Sequence, residues 1–492
     1  MSNLTEILTG HFPGDGSDKP TAAEVANASK LRAAFEQYRK SYQWHPFEQV
    51  QRPPLPMVRN RAWVRNPIDA FVAAEHEARG LKPRPEAARH SWLRRVTLDL
   101  AGLPPTRTQL HAFLSDTSSE AYEKVVDRLL ASPRYGERWG RHWMDVWRYS
   151  DWAGFGQEVR ESQPHIWHWR DWIIESLNQD KGYDRMIQEM LAGDELAPTD
   201  AATLRATGFL VRNWFSFNRN VWLDNTVEHT AKAFLGVTIN CARCHEHMFD
   251  PVAQKEYYAF RAFFEPYNIR TDRLPGQPDL TRDGIPRVYD KDLNTPTYLF
   301  IRGNDADPDK SKAIAPAVPA VFSDAAMEIQ PVHLPRTAYM PDKQGFVVQE
   351  TIRASEQQVV AVRKAVGEAQ KELDRRHQSV AGLREAEKAS WAAVLEARQK
   401  LDANLSGSLQ GWMQALSEAS HLAEEVTKAQ QQVRVAEDQI RLAHMKQALA
   451  GAAHAALLAT LRVEKLEDTG VRQSDPETWR TAALAANRAQ RE

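Results

Sequence analysis

Between residues 351 and 470, apolar side chains recur at intervals of three and four. Val359, Val362, Val366, Ala369, Leu373, Val380 and Leu383 keep this spacing, and after a break at DANLSGSLQG so do Val426, Ala429, Val433, Ala436, Ile440 and Ala443. The pattern draws a narrow apolar seam along a helix and leaves Glu, Gln, Lys and Arg on its flanks, which is the signature of a coiled coil. Two such helices joined by a Gly/Ser-containing break fold most simply as an antiparallel hairpin, each arm roughly 75 Å long at 1.5 Å per residue. The many alanines at seam positions favour close helix approach. Hairpins of this kind serve as spacers or as arms that dock a protein partner.

The rest of the chain needs other units, because 492 residues exceed what one core accommodates. Residues 1–55 read as an extension and linker, with a short charged helix around 21–41. Residues 56–270 read as a helical domain, 271–350 as an irregular β-containing flank, 351–470 as the hairpin and 471–492 as a tail. The expected fold class is therefore mainly α. Lys+Arg 63 against Asp+Glu 65 gives a formal charge of -2, which argues against nucleic-acid or anionic-membrane binding. No apolar run approaches the ~20 residues of a membrane span. The opening MSNLTEILTGHFPGDGSDKP has no basic start, apolar stretch or small-residue cleavage site, so no export signal is expected in it.

Local signals place the helices. Asn66 before Pro67 reads as a cap and first helical residue with Gly80 as the stop, and Thr106 is placed to cap the next helix but one. Ser132-Pro133 separates two amphipathic helices, and further helices are expected at 165–178, 183–192, 222–236 and 254–265. TPTYLFIRG and EIQPVHLP read as short strands.

The chain has two cysteines, Cys241 and Cys244, in the run INCARCHEHMFDP. Three chemistries fit a C-x-x-C-H. A c-type haem would use the thiols for its vinyl groups and His245 for its iron; a zinc ion would take Cys241, Cys244, His245 and His247; a redox dithiol would need only the cysteines. Zinc ligand pairs usually stand a dozen or so residues apart, and a dithiol of the thioredoxin type follows a strand, so covalent haem c is the leading expectation. His142 is expected on a buried aromatic stripe of Tyr135, Trp139, Trp143, Val146 and Trp147. It is a candidate for the distal side of the haem or for acid/base catalysis. His247 is a second acid/base candidate, Asp250-Pro251 is expected to cap the following helix, and His229 is expected in solvent.

AFLGVTINCARCHEHMFDPVAQKEYYAFRAFF resembles the planctomycete cytochrome c-like proteins, a secreted family whose central segment is a domain of unknown function. NPIDAFVAAEHEARGLKP, LRRVTLDLAGLPPT, VVDRLLASPRYGERWGRHWMDVWRYSD, WRDWIIESLNQDKGYDRMIQEMLAGDEL and TPTYLFIRGNDADP resemble its blocks in the same order, over roughly residues 42–322. The resemblance implies an exported, mainly helical protein, periplasmic or secreted, with haem c on Cys241, Cys244 and His245. It also points towards polysaccharide breakdown; the partners expected are a redox protein and a protein docked on the hairpin. Against that family the chain lacks a signal peptide, an N-terminal cytochrome module and a full C-terminal domain, and so reads as a piece of something longer. The expected function is electron transfer or haem-dependent redox catalysis outside the cytoplasm. The expectation from another class is a scaffold with a structural haem or zinc and a partner-docking coiled coil.

Overall fold

The computed structural model describes residues 51–150, 164–212, 214–215, 218–323, 327–330, 332–403 and 408–491, with isolated positions between 26 and 41. The helix expected around 21–41 and the centre of the break at 404–407 lie largely outside the described residues. The chain is mainly helical, its described residues form two small antiparallel sheets, and it divides at Tyr339 into two compact units.

The first unit starts where the capping signals put it. Asn66 Oδ1 accepts the Asp69 amide at 3.0 Å and Pro67 opens α1, Pro67–Ala78. Helix α2, Arg89–Ala101, ends at Gly102, which takes the left-handed conformation at φ 72°. Thr106 and Gln109 exchange side-chain and backbone hydrogen bonds to start α3, Arg107–Ser115. With α4, Ala121–Leu130, these helices close a satellite core of Leu93, Phe113, Ala121, Val125 and Leu129. Arg89 pins it, since its guanidinium lies over the Phe113 ring and donates to the Phe113 and Asp116 carbonyls.

Ser132 caps α5, Pro133–Val146, which packs on α6, Trp167–Asn178. Glycine sets that contact. A Cβ at Gly136 would overlap the Ile174 carbonyl oxygen, and the Gly136 amide donates to Asn178 Oδ1 at 2.8 Å. Helix α7, Tyr183–Leu196, follows, with a kink at Ala192. Then come α8, Arg219–Thr230, and α9, Gln254–Arg261. Their inner faces meet in the main core around Trp147, Trp169, Trp172, Trp222, Phe209 and Tyr258.

Strands β1, Tyr267–Asp272, and β2, Ile285–Asp290, pair antiparallel with Ile269 opposite Val288. Strands β3, Thr297–Phe300, and β4, Pro308–Ile314, form the second hairpin. The described residues of 328–335 form no strand. The sequence places prolines at 331 and 335 there, and proline cannot donate to a ladder.

The second unit holds α10, Gly345–Asp402, and α11, Ser408–Asp468. Lys343 meets Glu464, Ser355 meets His454 and Arg376 meets Gln432, so one position falls as the other rises and the pair is antiparallel. Its seam is Leu373 and Val380 against Val433, Ala436 and Ile440. At 58 residues α10 is about 90 Å long. Residues from 476 on form α12, Pro476–Arg491, which folds back along α11. Trp479 Nε1 donates to Glu467, Gln490 reaches Thr460, and Ala482 and Ala486 are buried.

Candidate functional site

The segment that carries the cysteines is set up by the end of α8. After Thr230 the helix widens into a π-helical turn, Ala231–Leu235, and stops at Gly236, which is left-handed at φ 67°. Such turns are rare and concentrate at functional sites. Val237 and Ile239 then sink into the core, and Asn240–Arg243 forms a 3-10 turn. Cys241 lies within that turn and Cys244 is the residue that ends it. Both are free and exposed, while Ala242 between them is fully buried and anchors the turn.

One ion pair and two hydrogen bonds fix the turn from below. The Arg243 guanidinium reaches Asp224 on α8 at 2.7 Å, and the Arg243 carbonyl accepts Tyr258 Oη at 2.9 Å and Gln254 Nε2 at 3.0 Å. Asp224 also takes Tyr257 Oη at 2.8 Å and Arg261 Nη1 at 3.2 Å, so one carboxylate ties α8, α9 and the cysteine turn together. Gln254 Nε2 further donates to the Phe300 carbonyl at 3.2 Å, which brings the end of β3 alongside. There Gly303, at φ 73°, lies so close that a Cβ would overlap Cys244 Sγ.

His245 is exposed, and its Nδ1 is 2.6 Å from the Glu246 carbonyl. A carbonyl oxygen only accepts, so Nδ1 carries the proton and the Nε2 lone pair is left for a metal. This is the tautomer that axial and zinc-bound histidines hold through a backbone carbonyl. Two free, exposed thiols three positions apart, followed by such an imidazole, are the donor types that haem c requires. Phe249 and Ile301, in the segments flanking the turn, add exposed apolar surface.

His247 is placed differently. It is buried, its Nδ1 accepts the Asp250 amide at 2.8 Å and the Phe249 amide at 3.3 Å, and its other side meets the Thr238 carbonyl. Burial keeps its pKa below the usual value, although Asp250 opposes that. The ring thus serves the turn. Among the described residues no three His, Cys, Asp or Glu side chains gather as metal ligands, and His247 does not join Cys241, Cys244 and His245. Asp250 is not the cap of α9. Glu246 Oε2 accepts the Gln254 amide at 2.6 Å and Glu256 Oε2 accepts the Ala253 amide at 2.7 Å, where negative charge favours a helix start.

The buried face of α5 is not the aromatic stripe expected from the sequence. Gly136, Gly140 and Met144 face inward, followed by Trp147, because glycine lets α6 approach most closely. Tyr135, Trp139 and Trp143 are half-buried and Val146 is exposed. His142 is exposed too, edge-on to Trp139 at 5.5 Å between ring centroids. Helix α5 packs on α2, α4 and α6, whereas the cysteine turn packs on α8 and α9.

Two buried groups were not foreseen from the sequence. His229, expected in solvent, is half-buried with its Nδ1 unpartnered, and burial together with Arg212, Arg148 and Lys232 drives its pKa down to about 3. Asp194, just past the kink in α7, is 1 % exposed with Oδ1 unpartnered. Burial raises its pKa to about 7; Arg287 opposes this, while Asp290 and Glu195 reinforce it. Only long-range packing decides either case, so no local signal could have revealed them.

No helix among the described residues is long and apolar enough to cross a membrane. No curated protein and no solved structure matches the chain. Residues 67–268, which include the cysteine turn and every element that holds it except the end of β3, are similar to a planctomycete-type family described as PSCyt2, a protein of unknown function (DUF1549).

Proposed function

We propose that this chain is a mono-haem c-type redox protein that works outside the cytoplasm, where haem c is attached. The observation that carries the reading is His245: its Nδ1 is committed to the Glu246 carbonyl, which leaves Nε2 for an iron in the residue that directly follows two exposed, free thiols. In this reading Cys241 and Cys244 hold the group covalently and His245 holds its iron. Haem would supply one-electron oxidation and reduction, which no side chain here offers at ordinary potentials. The chain's own part is positional. Ala242 seats the turn, Asp224 and Tyr258 fix its backbone through Arg243, and Gly303 leaves room for the Cys244 sulfur.

The test is export of the chain to a periplasm with the haem c maturation machinery, followed by a haem stain on a denaturing gel and a pyridine haemochrome spectrum. Covalent haem is expected in the wild type and lost in Cys241→Ala/Cys244→Ala. His245→Ala should keep the thioether bonds yet show an altered iron spectrum. A folded, colourless wild type would refute the reading.

A scaffold role has one observation of its own. Val435, Leu442, Met445 and Leu449 lie on one side of α11 at spacings of seven, three and four, all exposed. That is the stripe a further helix would cover. Leu442→Glu/Met445→Glu should leave folding intact and abolish association in sedimentation experiments; an unchanged mass would count against the scaffold.

A further inference from the structure

Helix α11 has two long faces. Val433, Ala436 and Ile440 close the seam with α10. At 100° per residue, Val435, Leu442, Met445 and Leu449 fall on the opposite side, within an arc of about 80°. Their exposure runs from 49 % to 71 %, against 8 % for Val433 and Ile440. Further along, the same face is covered. Thr460 and Glu467 lie within about 20° of Leu449 around the axis. Gln490 of α12 donates to Thr460 Oγ1 and Trp479 Nε1 donates to Glu467, each at 3.2 Å, so α12 runs antiparallel along this side of α11. Val463 and Leu466 share the face and are half-buried there. Helix α12 thus shows how this face takes a helix; past Thr460, towards Val435, its apolar side chains stand in solvent.

Cations border the uncovered stretch. Arg434 and Arg441 lie on one flank and Lys428 and Lys446 on the other, all exposed. Arg441 is bonded to Asp438, a carboxylate inside the stripe. Glu437 is turned towards α10, where His377 stands 4.0 Å away. The next carboxylate on this side, Glu424, comes about three turns before Val435. Lys428, Arg434 and Lys446 form no ion pair among the described residues. An apolar stripe between unpaired cations suits a helix with negative flanks. A second copy of the chain suits it badly, because its stripe carries the same cations and like charges across an interface are costly. A full-length α11, 61 residues long, laid along the stripe would also meet α12.

We propose that the stripe at 435–449 binds one helix of another protein, an amphipathic helix with apolar residues at spacings of three and four and Asp or Glu on both flanks. It covers about 21 Å, four turns, in line with α12. Leu442 and Met445 make the centre of the contact, and Arg434 and Lys446 meet the acidic flanks. The proposal rests on the scaffold reading above, and the association measured there is then with this partner. The surface uses none of Cys241, Cys244 or His245 and stands whether or not the chain carries haem.

The test uses the full chain and two fluorescein-labelled synthetic peptides of about 18 residues, five helical turns. Both carry leucine at the a and d positions of a heptad and are held helical by staples on the opposite side; one has glutamate on its flanks and the other lysine. Anisotropy titrations should show saturable binding of the acidic peptide at micromolar chain. Binding of the basic peptide should be weaker by about tenfold or more, a gap that narrows in about 0.5 M salt because exposed charges are screened. Leu442→Glu/Met445→Glu should lose the acidic peptide, and Arg434→Glu/Lys446→Glu should reverse the preference. Leu395→Glu, at an exposed apolar position on α10, should change nothing. An acidic peptide that binds no tighter than the basic one overturns the proposal, as does binding that survives Leu442→Glu/Met445→Glu. If neither peptide binds while the chain associates with itself through the stripe, the scaffold reading stands and this proposal falls. If neither peptide binds and the chain stays monomeric, both fall.

Discussion

Replacing Asp194 with asparagine isolates the energetic consequence of burying a carboxyl that cannot find a full set of partners. In the folded chain Asp194 titrates near pH 7, raised by burial from an ordinary value of 3.8. Between those two values the native state keeps a proton that the unfolded chain has released. Stability therefore falls as pH rises from about 4 to about 7 and levels off above. Linkage over this interval gives a cost of about 1.6 kcal/mol at pH 5 and about 4 kcal/mol at pH 8. An asparagine side chain has the same shape, no charge and no such cost, so Asp194→Asn should gain on wild type by about 2–3 kcal/mol between pH 5 and pH 8. The assay is urea unfolding at both pH values, read through the buried Trp147, Trp169, Trp172 and Trp222 of the same unit. Taking the difference between the two proteins cancels other titrating groups, including His229, whose lowered pKa acts with the opposite sign below pH 6.5. Parallel pH profiles for the two proteins would show that Asp194 is ionised in the native state and refute the reasoning.

The remaining predictions concern the cysteine turn and the hairpin. Asp224→Ala removes the acceptor shared by Arg243, Arg261 and Tyr257 and should cost about 3 kcal/mol, measured by chemical denaturation. It should also speed maleimide labelling of Cys244. Gly303→Ala forces a Cβ into a left-handed residue against Cys244 Sγ and should cost about 2 kcal/mol or more, whereas Gly276→Ala, left-handed with nothing within 4 Å, should cost less. Ile440→Ala opens a cavity in the hairpin seam and should lower stability by about 2–4 kcal/mol in circular-dichroism melts, leaving the labelling rates of Cys241 and Cys244 unchanged.

What the sequence made legible was whatever a few neighbouring residues decide. Asn66 with Pro67, Thr106 with Gln109 and Ser132 with Pro133 start helices through contacts within four positions, and the seam of α10 and α11 repeats often enough to declare itself. The inner face of α5 was misread because apolar counting weighs Trp139 and Trp143 and ignores Gly136 and Gly140, whose missing side chains admit α6. The placement of Asp224 and Gly303 at the cysteine turn depends on partners far along the chain, as do the burial of His229 and Asp194. Such partners leave no periodic trace.

The π-helical turn at Ala231–Leu235 bears on how this region can change in length. It takes in one more residue than a regular turn, so the chain beyond it leaves at an azimuth about 100° away from that of an uninterrupted helix. Deleting any one of those five residues would restore a better hydrogen-bonded helix and still swing Cys241 and Cys244 away from Asp224 and Tyr258. The turn sets a phase. A shorter version would be locally more comfortable and globally misaimed, so indels in this stretch should be tolerated only in pairs that cancel.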